Sequence, residues 1–219
     1  MKIPSFSIAA LTLVLSNYTL FFTKLEGTEI VTEAKAAYYY PIDANFRAIY
    51  DNPGIYGVEA NIRAWQGFFP WVGLNVFYTT GFSSLHKSTS LLAIPVEAGL
   101  KYILSVEHFG MRYTGAHNRR PIGLQWTQYL APYLGVGAVA GYGSIRNHSK
   151  YVSPTQWGWG PGVVAKGGFY AFFHKTVFLD LFVNYTYLKI NFTHCPKCLV
   201  IRTGDLSGIS AGGGFGWRF

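Results

Sequence analysis

Apolar and polar residues alternate along most of this chain, and a period of two predicts strands rather than helices. In the clearest stretch, Leu179 and Leu181 point away from Asp180. Turn signals separate eight such segments, each with one apolar and one polar face. The segments cover residues 29–40, 55–65, 71–80, 92–102, 129–142, 156–173, 177–187 and a final strand that ends at Phe219.

The length of these segments distinguishes a membrane protein from a soluble one. Strands of soluble domains average about 5–6 residues, whereas a tilted membrane-spanning strand needs ~9–11. All eight segments reach the longer class. Beyond the N-terminal region, no unbroken apolar run has the ~18–20 residues that a spanning helix requires. The pattern therefore predicts a transmembrane sheet.

The C-terminus shows the strongest form of this alternation. Phe215, Trp217 and Phe219 share one face, with Gly216 and Arg218 opposite. An apolar face that reaches the end of the chain is typical of a closing strand in lipid, since termini of soluble proteins usually fray into water. Aromatic residues also gather near segment ends, as membrane interfaces favour. They are Tyr38, Tyr40, Trp65, Trp71, Tyr185, Tyr187 and Trp217.

Connection lengths support a barrel, with one exception. We expect long connections after the first, third, fifth and seventh segments and short ones after the second and sixth. Outer-membrane barrels show this asymmetry between external loops and periplasmic turns. Residues 105–128 break the alternation: the stretch is long, mixed in character and basic at Arg119 and Arg120, and no element is assigned to it.

Four short runs, at residues 46–50, 99–102, 132–137 and 178–182, occur in the order and spacing of a known group. With the aromatic C-terminal strand, they resemble the small eight-stranded porin-like outer-membrane barrels, which include the OmpA transmembrane domain, OmpX and OmpW. The resemblance implies an all-β, closed, antiparallel up-and-down barrel of eight strands. It also implies a bacterial outer membrane, contact with lipid and lipopolysaccharide, monomeric state, and use of Phe215, Trp217 and Phe219 as an insertion signal for the barrel-assembly machinery.

Composition agrees with a single membrane domain. The chain has 219 residues, of which 13% are charged and 18% aromatic, whereas soluble domains carry about 25% charged residues. The net charge of +8 would be compatible with nucleic-acid binding. Because the basic residues are dispersed, we expect attraction to anionic lipid or solvated loops instead, and no nucleic-acid partner.

The N-terminus predicts export. Lys2 precedes an apolar stretch at residues 6–15 that is too short to span a bilayer. We interpret residues 1–27 as a signal peptide and residues 28–219 as the barrel domain. The cleavage point stays open, and the alternative is an uncleaved anchor.

The polar faces of the strands place ionisable residues in the predicted lumen. An eight-stranded barrel is just wide enough to be filled by its side chains, and buried ions must pair. We therefore predict a salt-bridge network that plugs the lumen, with a narrow gated pore as the alternative. Lumen glycines would leave room for Tyr39, Phe182 and Lys166. The predicted network comprises Glu33, Lys35, Glu59, Arg63, Glu97, Lys101, Lys166, Asp180 and Arg218.

Cys195 and Cys198 form the one cysteine pair, in the predicted last outer loop. An oxidising compartment favours a local disulfide, with cross-links to neighbouring envelope proteins as an alternative. A lone C-x-x-C is half a zinc site, so metal binding with His194 is the weaker interpretation. We predict no metal and no cofactor.

Catalysis has little support in the sequence. A serine nucleophile needs a histidine within reach on the same face, and no such pair occurs within a segment. His148 and Ser149 are adjacent and would point to opposite faces. We expect no enzyme activity. Three functions follow in order: a structural or surface-interaction barrel with recognition in its loops, a narrow porin-like channel for small or apolar solutes, and a lipid A-modifying enzyme.

Overall fold

The computed structural model describes residues 30–50, 53–64, 67–82, 88–104, 130–147, 155–173, 176–192 and 203–219. Strands account for nearly all of them. The elements are β1 Ile30–Pro41, α1 Ala44–Ile49, β2 Gly54–Ile62, β3 Phe68–Phe82, β4 Ser88–Ile103, β5 Leu130–Asn147, β6 Thr155–Phe172, β7 Val177–Phe192, β8 Thr203–Asp205 and β9 Gly208–Arg218.

The strands close into a barrel of eight. Each of β1 to β7 pairs with the next in antiparallel fashion, and β9 pairs with both β7 and β1. The first residue of β1 and the C-terminal residue meet at one rim, where the amide of Phe219 donates to the carbonyl of Ile30 over 2.9 Å. We call this end the inner rim and the opposite end the outer rim. The predicted fold class is confirmed.

The short strand β8 is an extension of β9. Thr186 pairs with Gly208 and Lys189 with Asp205, three residues further along each strand, so the register does not slip. Between the two strands, the hydroxyl of Ser207 accepts from the amide of Leu188 over 3.2 Å. Strands β8 and β9 therefore act together as the eighth strand of the barrel, which covers nearly all of residues 203–219.

The register of the ladders determines the tilt of the strands. Cross-strand neighbours followed once around the barrel return to β1 ten residues further on, at 41 instead of 31, which is a shear of 10. For eight strands this corresponds to a tilt of about 41°, within the usual range for barrels. The path runs through Val31, Asn61, Trp71, Gly99, Gly137, Val164, Thr186, Gly208 and Pro41.

The alternation of the sequence becomes an inside and an outside. On β5, Leu134 and Val136 are 63% and 67% exposed, whereas Tyr133, which directly precedes Leu134, is 1% exposed. Apolar side chains cover the outer face of every barrel strand, far beyond the few hundred Å² of apolar patch that soluble monomers expose. Such a band is stable in lipid, and closure satisfies the backbone groups there. Among the described residues, no helix combines the length and hydropathy needed to cross a bilayer.

Aromatic residues mark the ends of this band. Tyr40 and Tyr187 are exposed near the outer rim, and Trp217 and Phe219 near the inner rim. Trp71 differs from this prediction, because it is only 3% exposed and lies in the lumen. Its odd number puts it on the same face of β3 as Gly73 and Asn75, which face inward. Trp65 lies outside the described residues.

Helix α1 was not predicted. The carboxylate of Asp43 caps it by accepting from the amide of Asn45 over 2.9 Å, which satisfies an otherwise free amide of the first turn. The helix turns Phe46 into the barrel mouth. Tyr50 then forms an isolated bridge to Gly81 of β3. A side chain at Gly81 would collide with the carbonyl oxygen of Ile49, so glycine permits this close approach.

One connection differs from its expected length, and another keeps the exceptional length that the sequence indicates. The β3–β4 connection holds only residues 83–87, because β3 continues to Phe82 and β4 begins at Ser88. It is therefore short, although the sequence predicted a long one. At the inner rim, residues 104–129 separate β4 from β5, a much longer stretch than the connections at 63–67 and 173–176. The unassigned stretch 105–128 and the predicted signal peptide lie outside the described residues.

Candidate functional site

Seven charged side chains meet in one layer across the lumen, in the half nearer the inner rim. None of them is more than 9% exposed. Five strands supply them, so the layer connects most of the barrel wall. We call this set the charge layer: Glu33 and Lys35 of β1, Glu59 of β2, Glu97 and Lys101 of β4, Lys166 of β6 and Asp180 of β7.

Glu59 is the centre of the charge layer. Its carboxylate accepts from all three lysines, at 3.1 Å from Lys35 Nζ, 2.5 Å from Lys101 Nζ and 2.7 Å from Lys166 Nζ. Glu59 also lies directly opposite Glu33 across the β1–β2 ladder. Like charges at such a position repel, and the lysines that contact both carboxylates offset this repulsion.

Lys35 joins the acidic residues on one side of the lumen. Its Nζ lies 3.0 Å from Glu33 Oε2 and 3.1 Å from Asp180 Oδ2. Between Lys35 and Asp180 stands Gly214 of β9, which is the register neighbour of both. A Cβ at Gly214 would lie 3.1 Å from Lys35 Cγ. Because Gly214 has no side chain, Lys35 can extend across β9 to reach Asp180.

Lys166 joins the other side of the lumen. Its Nζ lies 2.7 Å from Glu97 Oε2 and 3.5 Å from the centroid of the Trp71 ring. A cation this close to an indole face is attracted by the ring quadrupole. Opposite Lys166 in the ladder is Gly135 of β5. The sequence analysis assigned Trp71 to a membrane interface, but its side chain lies in the lumen and contacts Lys166.

Three uncharged side chains complete the layer, and sequence reasoning missed two of them. The hydroxyl of Tyr170 donates to Glu33 Oε1 over 2.9 Å, and Asn61 Nδ2 donates to the same oxygen over 2.8 Å. The hydroxyl of Tyr133 donates to Asp180 Oδ1 over 2.9 Å. Asn61 lies two residues after Glu59, so alternation along the segment places it on the same polar face. Tyr133 and Tyr170 were not assigned to the lumen. Their numbers share the parity of the lumen-facing Gly135 and Lys166, which was the available signal.

Two of the nine predicted lumen charges lie elsewhere. Arg63 follows the last residue of β2, and Arg218 ends β9 opposite Val31. Both are half-buried at the inner rim, below the charge layer. The strands end there, so water reaches these guanidinium groups.

Apolar layers close the lumen on both sides of the charge layer. At the inner rim, Phe69, Tyr133, Tyr170 and Phe178 belong to one buried cluster. At the outer rim, a second buried cluster includes Phe46 of α1 and Tyr50, which follows α1. We call these two residues the plug. Between this outer cluster and the charge layer is a cavity of about 20 Å³, enough for about one water-sized molecule. The described lumen therefore contains no continuous aqueous path.

Glycines allow the packing of the outer closure. The ring of Tyr39 lies against Gly208, where a Cβ would overlap it at 2.5 Å, and its hydroxyl donates to the carbonyl of Leu206. Phe182, which belongs to the inner cluster, is the ladder neighbour of Gly212. In the connection after α1, burial raises the pKa of the Tyr50 hydroxyl, and a hydrogen bond with Thr89 opposes this shift. Tyr50 is therefore a neutral donor or acceptor in the plug.

The remaining sequence-predicted site residues fall into two groups. Phe215, Trp217 and Phe219 all point outward on β9 and are 40%, 40% and 72% exposed, as a lipid-facing C-terminal strand requires. Cys195 and Cys198 lie outside the described residues, as do all six histidines of the chain. Within the described ranges, no group of three or more histidine, cysteine or acidic residues is arranged to hold a metal ion.

A closed eight-stranded barrel with an apolar exterior and a charged, filled lumen is an outer-membrane β-barrel of the Gram-negative type. Solved structures of this class share the fold. OprG from Pseudomonas aeruginosa matches with a TM-score of 0.58 at 15% identity, over 87% of this chain and 95% of that chain.

Two further structures are similar at lower scores. Ail of Yersinia pestis, in complex with sucrose octasulfate, has a TM-score of 0.49 at 14% identity and covers 89% of this chain and 100% of its own. Neisserial surface protein A has a TM-score of 0.47 at 14% identity, with coverages of 89% and 98%. No family model and no curated protein matches the chain. At these identities, the similarity establishes the fold only.

Proposed function

We propose that this protein is a non-enzymatic outer-membrane barrel with a structural or surface-interaction role, in which the loops of the outer rim carry recognition. The observation that supports this proposal is the filled lumen. Lys101 and Lys166 bridge to Glu59 from two other strands at 2.5 and 2.7 Å, so side chains occupy the cross-section through which a solute would pass.

The same observation argues against the channel alternative. Ions would have to separate salt bridges that are buried from water, and removing one partner of such a pair costs about 3–5 kcal/mol. Both ends of the described lumen also hold buried aromatic residues, Phe46 and Tyr50 at the outer end and Phe69 and Phe178 at the inner end. A barrel closed at three levels is suited to presenting loops or bracing the envelope.

Partners follow from the same setting. We propose contact with outer-membrane lipid and lipopolysaccharide around the exterior, and a monomeric barrel. We also propose that Phe215, Trp217 and Phe219 are read by the barrel-assembly machinery, since they form an apolar edge on the strand that closes the barrel. Residues 1–27 would act as the signal peptide for export.

Conductance of the refolded full-length barrel in a planar lipid bilayer tests the closed lumen. Unheated samples should first migrate differently from boiled samples on a gel, because a closed barrel resists detergent until it is heated. We then expect no discrete conductance steps at neutral pH. Steady single-channel openings of a sample that passes the gel test would contradict the proposal and support the channel alternative.

Complementation separates the structural role from the interaction role. A strain lacking the gene is complemented either with the full barrel or with a barrel whose outer connection 193–202 is replaced by glycine and serine. Restored envelope integrity by both forms supports a structural role, and restoration by the full barrel alone supports recognition by the loop. A change in lipid A mass that depends on the protein would overturn the non-enzymatic proposal.

A further inference from the structure

The charge layer is not electrically balanced. It contains four carboxyl groups, those of Glu33, Glu59, Glu97 and Asp180, and three lysine ammonium groups. With every group in its usual ionised form, the layer carries one uncompensated negative charge. A buried charge without a partner is strongly unfavourable, and Arg63 and Arg218 lie too near the inner rim to belong to the layer. One further positive charge is therefore needed inside the lumen.

The geometry shows where this charge is missing. Glu59 contacts three lysines, whereas Asp180 contacts only Lys35 within the described residues. Lys35 Nζ lies 3.0 Å from Glu33 Oε2 and 3.1 Å from Asp180 Oδ2, so these two buried carboxyl groups share one ammonium group. When two carboxyl groups share a buried site, the repulsion between like charges favours retention of a proton on one of them.

Unpartnered acceptors support the same location. Glu33 Oε2 is buried and has no hydrogen-bond donor within the described residues. Lys35 Nζ lies 3.0 Å from it and supplies charge without the alignment of a hydrogen bond. Asn61 Oδ1, on the side chain that donates to Glu33, also lacks a donor in this part of the structure. The surroundings of Glu33 thus offer acceptors in excess of donors.

We propose that Glu33 and Asp180 form a proton-binding carboxyl pair, in which the two groups together hold one proton beside Lys35. Asp180 accepts from the hydroxyl of Tyr133 whether or not it carries the proton. The charge layer then contains three negative and three positive charges. The proton completes the layer, and its loss would leave one unbalanced charge between the apolar closures.

Every neighbouring strand presents a group that affects this proton. Lys35 and Lys101 favour its release, since they stabilise carboxylates, whereas Glu59 favours its retention. Burial away from water also favours retention. The groups that face the carboxyl pair are Lys35 of β1, Glu59 and Asn61 of β2, Lys101 of β4, Tyr133 of β5 and Tyr170 of β6, with Glu97 and Lys166 beyond Glu59.

Infrared spectroscopy of the full-length refolded barrel in lipid detects this proton directly. At neutral pH we expect the carbonyl-stretch band of a buried, protonated carboxylic acid in the wild-type protein. Asp180→Asn and Glu33→Gln should each remove the band. Asp43→Asn is the matched control, because it removes a carboxyl group that caps α1 at the outer rim, outside the charge layer, and should retain the band.

The pH dependence of unfolding gives a second measurement. Where the folded barrel holds the proton and the unfolded chain does not, the unfolding equilibrium constant rises tenfold per pH unit. We expect this slope for the wild type and for Asp43→Asn, and its loss in Asp180→Asn. A wild-type protein without the infrared band would overturn the proposal even if both pair variants failed to refold. A band that persists in both pair variants would do so as well.

Discussion

Lys166 offers the sharpest test of how the lumen is held closed. Substituting it with methionine keeps most of the side-chain volume and removes the ammonium group. In the structure that group lies 2.7 Å from a carboxylate oxygen of Glu59 and 2.7 Å from one of Glu97. The change therefore takes one cation from a layer that has fewer cations than carboxyl groups.

The two acidic residues lose unequal amounts. Glu59 keeps Lys35 and Lys101 at 3.1 and 2.5 Å. For Glu97, Lys166 is the cation that the described structure provides. Leaving one buried charge without its partner costs about 3–5 kcal/mol, so we expect Lys166→Met to lower the free energy of unfolding by about that amount. Adding Glu97→Gln should recover up to about 3 kcal/mol, the upper end for residues in contact.

Urea titration of the refolded barrel in lipid vesicles, followed by tryptophan fluorescence, measures both quantities. Trp71 is a built-in reporter, because Lys166 Nζ lies 3.5 Å from the centroid of its ring. Lys189→Met is the matched control, since Lys189 is on the exposed face of β7 and its loss should change little. A free energy of unfolding for Lys166→Met within about 1 kcal/mol of the wild type would refute the reasoning.

Three further predictions concern packing, assembly and the cysteines. Gly216→Leu should destabilise the barrel by about 1–3 kcal/mol through overpacking, because a Cβ there would overlap the Phe178 ring; thermal unfolding measures it. Phe219→Ser should reduce the fraction of protein that reaches the outer membrane, since it removes the exposed aromatic end of the closing strand; fractionation and gel mobility measure it. Cys195 and Cys198 of the exported protein should resist thiol labelling until they are reduced.

Each of these three predictions has a result that would contradict it. Gly213→Leu is the control for packing, because its nearest neighbours would lie at 3.5 Å; equal losses in both glycine variants would contradict a lumen-specific effect. Normal assembly of Phe219→Ser would remove the aromatic terminus from the insertion signal. Thiols that label fully without reduction would exclude the disulfide.

The faces of the strands could be predicted because successive side chains alternate between two faces. Once one residue of a strand is known to face lipid, the face of every other residue in that strand follows. Glu33, Glu97 and Asp180 were assigned inward from neighbours that must face lipid. The same rule would have found Tyr133 and Tyr170, but the predicted network was drawn from charged residues only. Aromatic residues near segment ends were assigned to the membrane interface from their position alone. Trp71 shows the error most clearly, since its parity agrees with the lumen.

The partners within the lumen could not be predicted. Which lysine meets Glu59 depends on how far each strand is displaced along its neighbour, and alternation along one strand carries no information about that displacement. Helix α1 escaped prediction for a related reason. Its six residues are too few for a helical period, and their place in the mouth depends on Gly81 of β3, a residue from a different part of the chain.

The long separation in sequence between members of the charge layer has a consequence for the kinetics of folding. Lys166 and Glu59 are 107 residues apart, and Tyr170 and Glu33 are 137 apart. Such contacts form only after the strands between them are in place, and thus late on the folding path. Interactions absent from the transition state act on the unfolding rate rather than on the folding rate. The layer should therefore add little to the speed of insertion and much to the lifetime of the inserted barrel.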